Sequence, residues 1–435
     1  MKKTNKPKIK GAKPVIISFF VLLFIGATLA LYIPLRPTYS EEEKRDLAKF
    51  PEFSFASLVD GSYFSGISTW YADTFPMRDI FIGAKAKIES FYGIGNSISG
   101  SSDNIADEIP DSDSPSLDLN YSDFENNTLP EDEAIDSSLV QKLGAVLIVD
   151  DSAYEYYSFV KSTADRYALT VSYTADKLKG KARVFDIVVP TSTDITLNTS
   201  VRKEINTSDQ KEAINYIYRN ISANAYKVDT FDTIYAHRNE YVYFRTDHHW
   251  TALGAYYAYC EYTKAAGIKT ASLKDFNERK FDNFVGAFYN DSEKNPALEK
   301  NPDTLYAYAP KGNVKLTFTN HDGKQVKWNV VTDVSGWSRG SKYNAFIGGD
   351  NPYTHIVNPA ITDGSSCVVV KESFGNAMVP FLTENYGEIH VIDYRYWDGN
   401  ISEFVEKNGI DDVIFVNNIS ATRNNSLVNK LGKIS

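Results

Sequence analysis

Apolar runs alternate with helix-like segments over most of the chain after residue 139, and this alternation limits the fold more than any other feature. The predicted strands cover residues 145–149, 183–189, 225–229, 367–370, 388–393 and 412–416, and the predicted helices cover residues 159–179, 210–223, 252–266, 377–385 and 402–407. Strands that are apolar throughout are buried on both faces, and helical connections between them allow parallel pairing. The sequence therefore predicts an α/β fold with a mostly parallel sheet, in which functional side chains collect at the carboxyl ends of the strands.

Residues 270–362 break this alternation. They are rich in Gly, Asn, Asp and aromatic residues, and they contain strand-like runs at 314–318 and 326–331. We interpret the segment as a β-rich insertion over the edge of the sheet, within a domain that extends from residue 139 to residue 435. Such an insertion is a natural place for substrate contacts.

The amino-terminal residues have the pattern of a membrane anchor. Six lysines lie in residues 1–14, and the uncharged run that follows ends at Pro34. As a helix this run would rise about 28 Å, close to the thickness of a bilayer core. Because positive charge stays in the cytoplasm, we predict a cytoplasmic tail at 1–14, a transmembrane signal anchor at 15–34 and an extracytoplasmic remainder at the cell membrane. A cleaved signal peptide is the alternative.

One acidic segment accounts for the net charge of −10. Twelve Asp and Glu residues, and no Lys or Arg, lie between residues 101 and 136. Residues 98–138 are therefore predicted to be a disordered acidic insert or linker, which follows a small helical region at 37–97. The rest of the chain is close to neutral and gives nucleic-acid binding no electrostatic support. The two cysteines, Cys260 and Cys367, fit one disulfide or two buried thiols.

A carboxylate and two histidines are consecutive in the run Tyr243-Phe-Arg-Thr-Asp-His-His-Trp-Thr251. In an extended backbone Asp247 and His249 point to the same side, so the carboxylate can hold the imidazole in the tautomer that a general base needs. His248 is then expected to face away from His249 and to have a structural role; the alternative is that His248 is the base.

Ser373 is the candidate nucleophile, because it lies where the predicted strand 367–370 turns into a helix. Main-chain N–H groups at the start of that helix can bind a developing oxyanion, and Gly375 permits a close backbone approach. Asn376 and Asn417 are candidate side-chain donors to the same oxyanion. The alternative is that Ser373 is only a helix N-cap.

Residues 246–251 resemble the signature of the DHHW protein family, which is similar to the alginate O-acetyltransferases AlgJ and AlgX and their SGNH-hydrolase-like domains. The resemblance extends to residues 75–79, 189–191, 371–376, 380–382 and 393–395. It covers most of the extracytoplasmic part of the chain and excludes the acidic insert.

The resemblance implies an SGNH-hydrolase-like three-layer sandwich with Ser373 as nucleophile, His249 as base and Asp247 as the group that orients the base. It also implies a membrane-anchored O-acetyltransferase that modifies a cell-surface polysaccharide or exopolysaccharide through an acyl-serine intermediate. The expected acyl donor is a multipass membrane acyltransferase of the MBOAT type, and no bound cofactor is expected. Lys371 and Glu372 stand where the relatives have Gly-Asp before the serine.

Other interpretations use the same residues. With water as acceptor the chain is a carbohydrate esterase, and with Ser373 as a cap it is a non-catalytic polysaccharide-binding or assembly protein. The Asp-His-His cluster suggests metal-dependent phosphoester hydrolysis, but the other histidines lie in no matching motif, so we predict no metal. Arg245 and Arg395 are candidates for binding anionic sugar groups. Trp250 is expected to wall the pocket or to fill the core.

Overall fold

The computed structural model describes residues 18, 20–21, 36–40, 45–59, 62–76, 106–126 and 146–435. The predicted cytoplasmic tail at 1–14 lies outside these residues, as do nearly all of the predicted anchor at 15–34, residues 77–97 of the predicted helical region, and residues 98–105 and 127–138 of the acidic insert. No helix among the described residues is both long enough and apolar enough to cross a membrane.

The chain divides into two compact units, residues 1–92 and 93–435. The described part of the first unit contains strands β1 (Tyr39–Ser40) and β2 (Arg45–Asp46), which pair antiparallel, and helices α1 (Phe55–Val59) and α2 (Ser62–Asp73). Arg36 lies over the ring of Trp70 and donates a hydrogen bond of 2.7 Å to the Thr74 hydroxyl. These contacts hold Arg36 against the end of α2.

The second unit contains the remaining strands and helices. Its strands are β3 (Val146–Val149), β4 (Ser152–Glu155), β5 (Arg183–Val189), β6 (Ala225–Lys227), β7 (Phe276–Phe284), β8 (Asp303–Pro310), β9 (Lys315–Thr319), β10 (Gln325–Trp328), β11 (Tyr353–Val357), β12 (Ser366–Lys371), β13 (Glu388–Asp393) and β14 (Asp412–Asn418). Its α-helices are α3 (Ser122–Glu125), α4 (Lys161–Lys177), α5 (Ser192–Ile195), α6 (Thr199–Arg202), α7 (Gln210–Asn220), α8 (Phe231–Ala236), α9 (Ala252–Ala266), α10 (Ala287–Asp291), α11 (Pro296–Lys300), α12 (Gly375–Leu382), α13 (Ile401–Asn408) and α14 (Asn425–Ile434). Short 3-10 turns cover Leu273–Asp275, Arg339–Ala345 and Ala421–Arg423.

An eight-stranded mixed sheet forms the centre of this unit, in the order β10-β9-β11-β13-β12-β14-β5-β6. The five strands from β13 to β6 are parallel to their neighbours, whereas β10, β9 and β11 continue the sheet in antiparallel fashion. The parallel strands β12 and β14 are buried along their whole length, as their continuous apolar runs predict.

Helices cover both faces of the sheet, as two neighbouring residues of β5 show. The ring of Phe185 packs against Tyr262 of α9, and the carboxylate of Asp186 accepts a hydrogen bond from Tyr167 of α4. Successive side chains of a strand point to opposite faces, so α9 and α4 lie on opposite sides of the sheet. The α/β prediction is confirmed, with a sheet that is mixed rather than mostly parallel.

Two segments differ in their pairing from what the sequence suggests. The predicted strand at 145–149 forms a two-stranded antiparallel sheet with β4 and is not part of the central sheet, because the chain turns back at once after Asp150, whose φ is 55°. Within the segment 270–362, β7 pairs with β8 in a separate sheet, while β9, β10 and β11 extend the central one.

Part of the acidic insert lies against the domain. Tyr121 donates a hydrogen bond of 2.7 Å to Asp176, and the ring of Phe124 stacks on Tyr173 at 5.1 Å between ring centroids. Both partners belong to α4. The two aromatic side chains therefore anchor the described residues 106–126, in spite of the acidic composition of the segment.

Candidate active site

Ser373 lies in the turn between β12 and α12, at the carboxyl end of a central parallel strand. A Cβ atom on Gly375 would lie 2.6 Å from the Cβ of Lys371, so only glycine allows the chain to turn this tightly from strand to helix. The Trp250 indole donates a hydrogen bond of 2.9 Å to the Phe374 carbonyl and is fully buried. Of the two predicted roles of Trp250, the core role applies, and the residue also ties the serine turn to the histidine segment.

The histidine segment is a bent loop and not an extended strand. An antiparallel bridge between Tyr243 and Trp250 closes it, and the residues between them bend. The buried carboxylate of Asp303 holds the bend, because it accepts hydrogen bonds from the Thr246 N–H at 2.8 Å and the Thr246 hydroxyl at 2.6 Å. The expectation that this segment is extended is wrong, since hydrogen bonds to Asp303, the first residue of β8, hold it in a bend.

The loop nevertheless brings Asp247, His249 and Ser373 together. The Nδ1 atom of His249 lies 2.6 Å from Asp247 Oδ1, and its Nε2 atom lies 2.7 Å from Ser373 Oγ. Asp247 also accepts hydrogen bonds from the main-chain N–H groups of His249 at 2.9 Å and Ala287 at 2.8 Å. All three functional side chains are buried.

The carboxylate of Asp247 sets the tautomer of His249. Burial raises the pKa of Asp247, but the adjacent imidazoles of His249 and His248 and the hydrogen bonds outweigh it and hold the pKa well below its usual value. An ionised carboxylate only accepts hydrogen bonds, so Nδ1 of His249 carries the proton and Nε2 is free to accept the proton of Ser373. This arrangement can activate a serine hydroxyl for attack on an acyl group.

His248 does not face away from His249, which corrects the sequence-based expectation. The two imidazole rings lie 3.9 Å apart between centroids because the backbone bends between them. Burial, followed by the charge of His249, lowers the pKa of His248, which favours its neutral form. The Ser373 hydroxyl is within hydrogen-bond distance of His249. The Nδ1 atom of His248 lies 3.8 Å from the Asp247 carboxylate.

Asp247, His248 and His249 also form a cluster whose potential metal-ligand atoms lie within 4.8 Å of one another. A metal ion bound there would have to replace the short hydrogen bond between Asp247 and His249. The contact of His249 with Ser373 matches a proton-transfer chain better than a metal site.

Tyr343 was not identified from the sequence, although it contacts two members of the site. Its ring stacks on His249 with centroids 3.9 Å apart, and its hydroxyl donates a hydrogen bond of 3.1 Å to the Ser373 carbonyl. Tyr343 lies in a 3-10 turn of the segment 270–362, so that segment supplies a wall of the site. A lone Tyr in a Gly-rich stretch carries no sequence signal for this role.

The side-chain carboxylate of Glu372 accepts hydrogen bonds from main-chain N–H groups beside Ser373. Its Oε2 accepts a hydrogen bond of 3.1 Å from the Phe374 N–H and lies 3.2 Å from Ser373 Oγ, while Oε1 accepts one of 2.9 Å from the Asn418 N–H. Burial raises the pKa of Glu372, against the opposing effects of Arg395 and these N–H groups. The amide after a nucleophilic serine is a common oxyanion donor. In this structure that amide is the Phe374 N–H, and the Glu372 carboxylate binds it.

The other predicted donors are engaged away from Ser373. Asn376 donates to Asp350 at 2.8 Å, and Asn417 donates to the Tyr167 hydroxyl at 3.2 Å. Neither amide is directed at the serine hydroxyl, because each satisfies a buried polar partner instead.

The two candidate arginines form internal ion pairs. Arg245 lies 3.3 Å from Asp303, and Arg395 lies 2.7 Å from Asp393 and 2.9 Å from Asp350. Each guanidinium group is therefore paired with carboxylates of the chain itself, and the predicted contact of these arginines with anionic sugars stays a prediction.

Comparison with known proteins identifies the sequence pattern. The model of a family described as DHHW protein matches residues 43–138 and 121–392 of the chain. No curated protein matches the chain.

Several solved structures are similar to this fold. A DHHW family protein from Eubacterium siraeum is 29% identical with a TM-score of 0.61, covering 67% of this chain and 96% of that one. PatB1 from Bacillus cereus is 20% identical with a TM-score of 0.55, covering 65% of this chain and 98% of its own, and PatB1 has also been solved with a sulfonyl adduct. The O-acetyltransferase domain of Pseudomonas putida AlgJ is 12% identical, covers 64% of this chain and 90% of its own, and has a TM-score of 0.35, which is too low to support an argument.

Proposed function

The chain belongs to the DHHW protein family, and on that premise we propose that it is an extracytoplasmic O-acetyltransferase that modifies a cell-surface polysaccharide. The observation that carries the proposal is the continuous contact from Asp247 through His249 to Ser373, with distances of 2.6 and 2.7 Å. Such a chain suits acyl transfer, because it activates a hydroxyl nucleophile and returns the proton to the leaving group.

The first half-reaction forms an acetyl-serine. As Ser373 Oγ attacks the acetyl carbonyl, His249 Nε2 takes its proton, and Asp247 stabilises the resulting imidazolium. The bond between the acetyl group and its donor then breaks, and the imidazolium gives the proton to the leaving group. The donor is proposed to be an MBOAT-type membrane acyltransferase that delivers the acetyl group.

The second half-reaction moves the acetyl group to sugar. A polysaccharide hydroxyl attacks the acetyl-serine while His249 Nε2 removes its proton. The ester bond to Ser373 breaks, and the imidazolium returns the proton to Oγ, which restores the starting state. In both steps the Phe374 N–H is free for the oxyanion only when the Glu372 carboxylate turns away from it, since the two share one hydrogen bond at 3.1 Å.

The membrane attachment is part of the same proposal. The lysine-rich residues 1–14 and the uncharged run at 15–34 support a single anchoring helix with the catalytic domain outside the cell. Anchoring would keep the domain close to a donor in the same membrane.

Acetyl transfer by the full-length protein tests the proposal. The protein is incubated with 4-nitrophenyl acetate and an unmodified oligosaccharide, and acetylated sugar is measured by mass spectrometry. We expect acetylated sugar from the native protein and none from Ser373→Ala. Ser402→Ala is the matched control, because Ser402 is also buried beside a helix start but belongs to α13.

Each outcome separates the alternatives. Acetate release without acetylated sugar identifies an esterase with the same residues, and acetyl transfer by folded Ser373→Ala contradicts the assignment of the nucleophile. Reaction with a sulfonyl fluoride gives a second readout, suggested by the sulfonyl adduct of PatB1. The Ser373 oxygen should displace fluoride and gain one sulfonyl group in the native protein and in Ser402→Ala.

A further inference from the structure

Three potential metal ligands lie on one face of the central sheet, away from Ser373. His355 of β11 and His390 of β13 are direct partners in the antiparallel register, and Glu388 precedes His390 by two residues on the same strand. Residues two apart on a strand point to the same face, as do direct partners on neighbouring strands. The register alone therefore brings two imidazoles and a carboxylate together.

The distances among these groups suit one small cation. Glu388 Oε1 lies 2.6 Å from His355 Nε2 and 3.6 Å from His390 Nε2, and the ligand atoms of the three residues all lie within 4.8 Å of one another. The imidazole rings are parallel within 7°, with centroids 4.8 Å apart. Ligands at about 2.0–2.1 Å from a tetrahedral Zn²⁺ ion are about 3.3 Å apart, so small side-chain rotations are sufficient.

The surroundings of His390 prepare it as a ligand. The Tyr353 hydroxyl lies 2.7 Å from His390 Nδ1, and when that nitrogen donates its proton to the tyrosine oxygen, Nε2 keeps a lone pair directed towards Glu388. Such an outer hydrogen bond is the usual way in which a protein orients a histidine ligand. Phe404 of α13 packs against the ring at 5.2 Å.

We propose that His355, Glu388 and His390 form a binding site for a divalent transition-metal ion, for which Zn²⁺ fits the two imidazoles and one carboxylate best. The fourth position faces solvent, because Glu388 is exposed and His355 is half-buried. A water molecule is the expected fourth ligand.

The site and the serine turn lie at opposite ends of β13. Glu388 begins β13 and Asp393 ends it, and Asp393 binds Lys371 next to the serine turn. Five residue-to-residue steps along the strand separate the two ends by about 16 Å. The metal ion would link β11 to β13, and thus join the antiparallel extension to the parallel strands.

Metal titration of the full-length protein tests this site. After removal of metal with a chelator, Zn²⁺ binding is measured by calorimetry, and Co²⁺ binding is measured by the visible absorption of its complex. We expect one strong site in the native protein and an affinity reduced by at least about 100-fold in His355→Gln and Glu388→Gln. Both positions are partly or fully exposed, so both variants should fold.

An exposed His–Glu pair elsewhere provides the matched control. His237 Nδ1 lies 2.6 Å from Glu240 Oε1, but a tyrosine ring and not a second histidine stacks on His237. His237→Gln should leave Zn²⁺ affinity unchanged, and Zn²⁺ should raise the unfolding temperature of this variant and the native protein but not of Glu388→Gln.

Two results would overturn the proposal. One is unchanged Zn²⁺ affinity in both His355→Gln and Glu388→Gln. The other is loss of the strong site in Asp247→Asn, which would move the binding to the cluster around His249.

Discussion

Replacing Asp247 with asparagine tests the triad directly, because the shape is kept and the charge is removed. Asp247 Oδ1 accepts hydrogen bonds from the main-chain N–H and Nδ1 of His249, and Oδ2 accepts one from the Ala287 N–H. All three partners are donors, so the asparagine NH₂ must face at least one of them. If the NH₂ faces Ala287, the imidazole keeps its tautomer. If it faces His249, the tautomer reverses and Nε2 can no longer accept a proton from Ser373.

The expected loss follows from the charge that disappears. In either orientation the imidazolium of His249 loses a carboxylate whose oxygen lies 2.6 Å from Nδ1. With charge centres about 4 Å apart and an effective dielectric constant of about 20, that interaction is about 4 kcal/mol. At about 1.4 kcal/mol per tenfold in rate, kcat should fall by about 10³, and by about 10⁴ where the tautomer also reverses.

Steady-state release of 4-nitrophenolate from 4-nitrophenyl acetate measures this loss. Asp194→Asn is the matched control, since Asp194 and Asp247 are both 5% exposed and Asp194 binds Arg202 and the Gln210 N–H instead of the triad. We expect the control to keep kcat within a few-fold of the native value. If folded Asp247→Asn keeps kcat within tenfold of the native value, the carboxylate does not stabilise the imidazolium and the triad argument is wrong.

Three further changes have defined outcomes. Gly286→Ala should lower kcat by about 100-fold, because its Cβ would lie 2.0 Å from the Asp247 carboxylate, whereas Gly312→Ala, with open space at the Cβ, should not. Trp250→Phe leaves the buried Phe374 carbonyl without its indole donor, so the free energy of unfolding measured in urea should fall by about 1–3 kcal/mol. Burial raises the pKa of Asp186 to about 7, which is above its value of about 3.9 in the unfolded chain, so this group makes the fold less stable as pH rises from about 4 to 7. The stability of Asp186→Asn relative to the native protein should therefore increase over that pH range, and a constant difference in the free energy of unfolding would contradict the assignment.

Local patterns in the sequence predict the central elements well. The strands predicted at 183–189 and 388–393 coincide with β5 and β13, and the helix predicted at 252–266 coincides with α9. Thr251 caps that helix, since its hydroxyl accepts a hydrogen bond of 3.3 Å from the Gly254 N–H. Apolar runs and capping residues act within a few positions, so a single sequence is enough to locate them.

Contacts between distant residues account for what the sequence could not show. The histidine segment bends because Asp303, far along the chain, binds its polar groups. Arg395 forms an ion pair with Asp350, which approaches it from another loop. The pairing of His355 with His390 depends on the register of two strands that the sequence separates by a strand and a helix. None of these contacts has a periodic signal.

The charged pair before Ser373 explains how this chain holds its serine turn. Lys371 is 1% exposed and lies 3.0 Å from Asp350 and 2.8 Å from Asp393. Glu372 points the other way along the turn, where its carboxylate accepts hydrogen bonds from two main-chain N–H groups. Burying such ions costs several kcal/mol each in desolvation, which only well-formed pairing offsets, so they contribute geometry more than stability. The lysine ties the end of β12 to two neighbouring segments, and the glutamate binds main-chain N–H groups next to Ser373. A Lys371→Met variant should therefore displace Ser373, because the end of β12 loses its two ion pairs. Removal of the Glu372 carboxylate should leave the Phe374 N–H free to bind the oxyanion, while the contact between His249 and Ser373 remains.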